Sequence, residues 1–70
     1  MNINLAINEG SKILNSKFIP NPLLDAEILM AKIINKDRNY ILLNYSNPIN
    51  KNDLNKFFKL IERRSLGKPV

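Results

Sequence analysis

Residues 22–35 decide the fold, and they read PLLDAEILMAKIIN. A helix drawn through this stretch is apolar nearly all round, so we predict that it is the central and most buried helix of the domain. Pro22 suits the first helical position, and Asn21 suits the N-cap before it. The stretch is shorter than the roughly 20 apolar residues that cross a bilayer. It therefore predicts a core helix.

The residues on the N-terminal side of this stretch predict a second helix over residues 3–16. Apolar or small residues recur there at i, i+4, i+7 and i+11, namely Ile3, Ile7, Gly10 and Leu14. Asn2 is a suitable N-cap for this helix. Gly10 weakens a helix relative to alanine, so we expect another helix to approach closely at this position.

The C-terminal side contains the clearest amphipathic pattern of the chain. Its apolar stripe follows the spacing i, i+3, i+4, i+7 and consists of Leu54, Phe57, Phe58 and Ile61. Asn50 followed by Asp53 resembles a capping box at the start of this helix. Gly67 suits the position after its last turn, and Pro69 prevents continuation.

Residues 38–45 are apolar but short, and periodicity alone does not separate a helix from a strand there. We favour a helix, because the rest of the chain offers no strand partner for a ladder. Asp37 is a suitable N-cap before it. The sequence thus predicts an all-α fold, a small bundle of four to five short helices.

The composition excludes several kinds of chemistry. The chain has 70 residues, enough for one domain, and it contains no cysteine and no histidine. Disulfides, thiolate nucleophiles and the usual zinc or iron ligand sets are therefore absent. We find no glycine-rich phosphate loop, so we predict no catalytic, cofactor or metal residue within these 70. Asp25 and Glu27 are two apart on a helix and point in different directions, so we expect them to be solvated and to complement the helix dipole.

Positive charge is concentrated near the end of the chain. Residues 51–70 have six basic and two acidic side chains, whereas residues 1–50 have five and four. Such a face steers an anionic partner, either nucleic acid or an acidic protein, although a solvated helix face has the same composition. The predicted contact residues for a substrate protein or a following domain are Lys59, Arg63 and Arg64.

The N-terminus, MNINLAINEG, lacks the basic region and apolar run of a signal peptide. No stretch has the length of a membrane span. We therefore expect a cytoplasmic protein without a membrane partner.

Three short motifs resemble a known family. They are DAEILM at residues 25–30, RNYIL at residues 38–42 and LIERRSLGKPV at residues 60–70. In this order and spacing they are similar to the N-terminal domain of the release-factor glutamine methyltransferases, the HemK/PrmC family. The resemblance covers essentially the whole chain.

This resemblance implies that the chain is one of two domains with different functions in a longer parent enzyme. Residues 1–66 would be a helical substrate-recognition domain, and residues 67–70 would begin a linker to a methyltransferase domain. That absent domain would bind S-adenosylmethionine and methylate the glutamine of the Gly-Gly-Gln motif in peptide-chain release factors, which act in translation termination. The implied partners are release factors and the parent's own C-terminal catalytic domain. The fragment alone would not be an enzyme.

Two alternatives stay open at this point. One is a small basic bundle that binds nucleic acid, although residues 50–66 lack the grouped polar side chains of a base-reading helix. The other is a folding or dimerisation module without substrate contact.

Overall fold

A computed structural model describes residues 1–67 and contains four helices. These are α1 (Ile3–Ser16), α2 (Pro22–Ile34), α3 (Arg38–Leu43) and α4 (Lys51–Ser65). Within the described residues there is no strand, only an isolated antiparallel bridge between Asn2 and Pro48. The predicted all-α bundle is confirmed. Of the predicted linker, residues 67–70, only Gly67 is among the described residues, and Pro69 lies outside them.

Helix α2 is central, since it packs against α1, α3 and α4. Its buried apolar side chains are Ala26, Leu29 and Met30. The predicted central position is confirmed, although the side chains of Leu23, Leu24 and Ile28 are exposed. In a bundle this small, α2 is surrounded by a single layer of helices. Within residues 1–67 that layer leaves part of the surface of α2 exposed to solvent.

Side-chain caps begin three of the helices, as the sequence predicted. The backbone N–H of the third residue after each cap donates to the cap side chain at 2.8 Å, and the caps are Asn2, Asp37 and Asn50. Asn21 differs, since it makes no side-chain capping bond and has φ 54°. The following proline disfavours the right-handed α region at this position, and asparagine tolerates the left-handed one.

Helices α1 and α4 approach each other closely at Gly10, as its position in the sequence indicated. A Cβ atom built on Gly10 would lie 2.9 Å from the Ile61 Cδ1 atom and 2.9 Å from the Phe57 Cζ atom. Both of those side chains are fully buried. Only glycine leaves room for this packing.

The loop before α4 supplies acceptors to the start of α1. The N–H groups of Ile3 and Asn4 donate to the carbonyls of Asn47 and Tyr45, at 3.0 and 2.9 Å. Because the first N–H groups of a helix have no partner within the helix, these bonds satisfy them and hold the loop in place. The loop in turn positions the Tyr45 side chain.

Candidate functional site

Glu27 lies in the interior and joins three parts of the chain. Its side chain is 4% exposed. One carboxylate oxygen accepts from the Arg38 guanidinium, with N–O distances of 3.0 and 3.1 Å, and the other accepts from the Tyr45 hydroxyl at 2.6 Å. The expectation that Glu27 is solvated is therefore wrong. Its burial is tolerated because both oxygens are bound and one partner is charged.

The Glu27 carboxylate also raises the pKa of the Tyr45 hydroxyl. Its hydrogen bond raises the pKa of the Tyr45 hydroxyl above the ordinary value of 10.0, and burial and the negative charge of Glu27 act in the same direction. The positive charge of Arg38 opposes this shift. Tyr45 therefore stays a neutral hydrogen-bond donor near neutral pH.

Asp25 makes a second ion pair, on another side of α2. Its carboxylate accepts from the Arg64 Nε atom at 3.0 Å, and the two side chains are 13% and 19% exposed. Asp25 lies in the first turn of α2, as expected, but it is largely buried rather than solvated. The pair ties the start of α2 to the last turn of α4. The two acids do face different partners, as their spacing predicted.

A surface cleft lies between the C-terminal part of α2 and the middle of α4. We call it the basic cleft, and it is lined by Ile33, Lys56, Lys59, Leu60 and Arg63. The three cations are exposed, and the two apolar side chains are half-buried. Within residues 1–67, no acidic side chain lines it. The cleft thus offers apolar contact surrounded by positive charge.

The structure separates the three contact residues predicted from the sequence. Lys59 and Arg63 lie together at the basic cleft. Arg64 is turned towards Asp25, because consecutive residues on a helix point about 100° apart. Sequence reasoning missed Lys56 and Leu60, although their spacing from Lys59 and Arg63, i, i+3, i+4 and i+7, places all four on one helix face.

Residues 1–67 contain no cluster of three or more side chains able to hold a metal ion. Nor do they contain a helix long and apolar enough to cross a membrane.

These observations define a class, a small all-α bundle domain that presents a basic and partly apolar cleft. The family model described as the PrmC N-terminal domain matches residues 6–70. The chain therefore belongs to the PrmC N-terminal domain family.

Curated relatives agree with this membership. A release factor glutamine methyltransferase of Clostridium botulinum is 34% identical over 62 residues, which cover 89% of this chain and 22% of that protein. The protein of the same name in Leptospira interrogans is 33% identical over 64 residues, or 91% and 22%. A bifunctional methyltransferase of Rickettsia felis is 34% identical over 68 residues, or 97% and 13%. The matched regions thus make up only 13% to 22% of the length of these relatives. No solved structure matches the chain.

Proposed function

We propose that this chain is the N-terminal substrate-docking domain of a methyltransferase that acts on peptide-chain release factors. The observation that supports this most is the family match over residues 6–70, together with two relatives named release factor glutamine methyltransferase. In this proposal the parent enzyme methylates the glutamine of the Gly-Gly-Gln motif, and it acts in the cytoplasm during translation termination.

The chemistry is assigned to the parent's catalytic domain, which would follow this chain. That domain would bind S-adenosylmethionine and provide the catalytic residues. Residues 1–70 contain no histidine or cysteine, and the two acidic residues that are largely buried, Asp25 and Glu27, are both engaged in ion pairs. In this proposal the fragment is not an enzyme by itself.

The docking role is assigned to the basic cleft. Lys59 and Arg63, with Lys56, would contact acidic side chains of the release factor, while Leu60 offers apolar contact. Complementary charge speeds encounter and fixes orientation, which a transferase needs in order to present one glutamine to its cofactor. Arg64 would act indirectly, by fixing the last turn of α4 through Asp25. The chain's own catalytic domain is the second proposed partner.

The first test compares the full-length parent with a version that lacks residues 1–66, after circular dichroism has shown that the shortened protein is folded. The assay follows methyl transfer from labelled S-adenosylmethionine to a release factor. A raised KM with nearly unchanged kcat is expected, because a docking domain contributes binding that is equal in the ground and transition states. Unchanged kinetics would rule out docking, and absence of transfer by the full-length parent would rule out the substrate.

The second test reverses charge at the basic cleft. Lys59→Glu with Arg63→Glu in the parent should raise KM for the release factor about tenfold, because rim charges steer and orient the encounter. The matched control is Lys12→Glu with Lys51→Glu, since both lysines are exposed and neither lines the cleft. Equal effects of the two double variants would exclude the cleft as the contact surface. Tight, steeply salt-dependent DNA binding by the wild-type chain would favour the nucleic-acid alternative instead.

A further inference from the structure

One residue of the bundle has a backbone conformation and an exposure that are both unusual for its type. Phe18 is the first residue beyond the cap of α1, has φ 60°, and is 94% exposed. Its N–H donates to the Asn15 carbonyl and the Ile19 N–H to the Leu14 carbonyl, both at 3.1 Å. This is the Schellman pattern, whose left-handed position is most often glycine and sometimes asparagine.

The left-handed residues that follow two other helices are of the usual types. Asn35 has the corresponding left-handed conformation after α2, with φ 58°, and Gly67 has it after α4, with φ 87°. A bulky aromatic residue in this region is a backbone outlier, and in full exposure it gains no burial in return. The conformation of Phe18 therefore lowers the stability of the domain, and no burial within residues 1–67 compensates for it. This is expected of a side chain that contacts something outside the domain.

A groove at the same end of the bundle extends the apolar surface. We call it the terminal groove, and it lies between the C-terminal ends of α1 and α4. Its lining residues are Ile13, Lys17, Phe58, Glu62, Ser65 and Leu66. Lys17 is adjacent to Phe18 in the chain, and Leu66 is 72% exposed. With one basic and one acidic side chain, the groove lacks the charge excess of the basic cleft.

The terminal groove lies at the C-terminal end of α4, the last helix among the described residues. Leu66 follows the last residue of α4, and the helix ends there with the left-handed Gly67. The matching family model describes an N-terminal domain, and the similar regions make up only 13% to 22% of the three relatives above. In a protein of that length, the segment that follows is tethered a few residues from the groove, so its local concentration there is millimolar.

We propose that Phe18, Leu66 and the terminal groove form the seat for the segment that follows residue 70 in the full-length parent. Apolar side chains of that segment, at the edge of the catalytic domain, cover Phe18 and fill the groove. This contact fixes the orientation of the bundle, and with it the basic cleft, relative to the catalytic domain. The inference rests on the proposal that a catalytic domain follows this chain, but it does not depend on which substrate that domain methylates.

The test measures how accessible position 18 is in the full-length parent. The 70 residues contain no cysteine, so a single thiol can be introduced in this region as Phe18→Cys or, as a second probe, Leu66→Cys. Leu43→Cys is the matched control, because Leu43 is 83% exposed and lies on α3, which packs against α2 rather than at the groove. Alkylation by iodoacetamide is followed at each site by mass spectrometry, with neither release factor nor S-adenosylmethionine present. The alkylation rates of the same variants unfolded in urea correct for differences in the intrinsic reactivity of the three thiols.

If the proposed segment covers the introduced thiol for about nine-tenths of the time, alkylation of that thiol slows about tenfold. We expect this slowing at positions 18 and 66 relative to position 43, at every protein concentration. Equal rates at all three positions would overturn the proposal. Protection that grows with protein concentration would assign the seat to a second copy of the chain, and protection that needs added release factor would assign it to the substrate; either result overturns it too. Failure of release-factor methylation, by contrast, would leave the alkylation result unaffected.

Discussion

At the residue scale, one buried carboxylate determines how the middle of the chain is assembled. Glu27 accepts hydrogen bonds from Arg38 on α3 and from Tyr45 in the following loop. A six-residue helix such as α3 is too short to be stable alone, so these bonds supply part of what holds it against α2. The same motif residues that support the family resemblance therefore have a structural role.

The hydroxyl of Tyr45 gives a pH-dependent prediction. Tyr45→Phe should lower the free energy of unfolding by about 1 kcal/mol near pH 7, because one oxygen of Glu27 loses its donor. The folded-state pKa of Tyr45 is raised above 10.0. The wild-type advantage is therefore complete below pH 10, the pKa of the unfolded state, and is lost as the pH rises through the folded-state pKa. Urea unfolding of both proteins from pH 7 to about 11.5 measures the difference, and a constant difference over that range would contradict the assignment.

Gly10 gives a prediction about packing. Gly10→Ala gains about 1 kcal/mol of helix propensity but forces a methyl group against Phe57 and Ile61, and overpacking costs about 1–3 kcal/mol. Since Phe57 and Ile61 are both fully buried, neither side chain can move out of the way into solvent, and we expect a net loss of about 1 kcal/mol. The exposed Asn8→Ala on the same helix is the control and should change stability by less than about 0.5 kcal/mol. A more stable Gly10→Ala variant in urea unfolding would show that the helices separate easily.

At the scale of the helices, α4 has two faces with different roles. Its apolar side packs on α1 and α2, while Lys56, Lys59 and Arg63 lie on the open side. Two adjacent arginines illustrate the division, since Arg63 faces solvent and Arg64 faces Asp25. Charge alone would assign them the same function, but their directions on the helix do not.

These two faces predict that substitutions at two neighbouring arginines affect different properties, stability at Arg64 and substrate binding at Arg63. Arg64→Met should lower the free energy of unfolding by about 2 kcal/mol, because it leaves the largely buried Asp25 carboxylate without this partner. Arg63→Met should change stability by less than about 0.5 kcal/mol. Under the proposed docking role, Arg63→Met in the full-length parent should instead raise KM for the release factor. Thermal unfolding and methylation kinetics of both variants check this, and equal loss of stability would contradict it.

At the scale of the whole molecule, the net charge of +5 is unevenly placed. The bundle has Cα extents of 28 × 22 × 18 Å, so at physiological salt a partner senses mainly the charges on the face that it approaches. The Debye length at physiological salt is about 8 Å, and association through the basic cleft should therefore weaken with salt.

The corresponding prediction concerns the kinetics of the full-length parent. Raising NaCl from about 50 to 300 mM should increase KM for the release factor several-fold and leave kcat nearly unchanged, because salt screens steering but not chemistry. The Lys59→Glu, Arg63→Glu variant should show a weaker salt dependence. A wild-type KM that is insensitive to salt would show that docking is not electrostatic.

The sequence by itself determined the all-α class, the presence of four to five helices, their limits within a residue or two, and most of their caps. It did so because these are local properties: apolar spacing at i, i+3 and i+4, and a polar side chain three residues before the N–H that it caps. The close approach at Gly10 was also predictable, since glycine within a helix needs a reason. The family resemblance likewise followed from three short motifs.

Only the tertiary structure decided which charged residues are interior and which are free for a partner. Asp25 lies 39 positions from Arg64, and Glu27 lies 11 and 18 positions from Arg38 and Tyr45. No spacing rule joins residues so far apart, because the contacts depend on how whole helices pack. The same packing turned Arg63 outward and Arg64 inward, left Phe18 uncovered, and brought Ile33 beside Leu60 to form the basic cleft. Local patterning thus sets the helices, while burial, which is a property of the assembled bundle, sets the surfaces available to a partner.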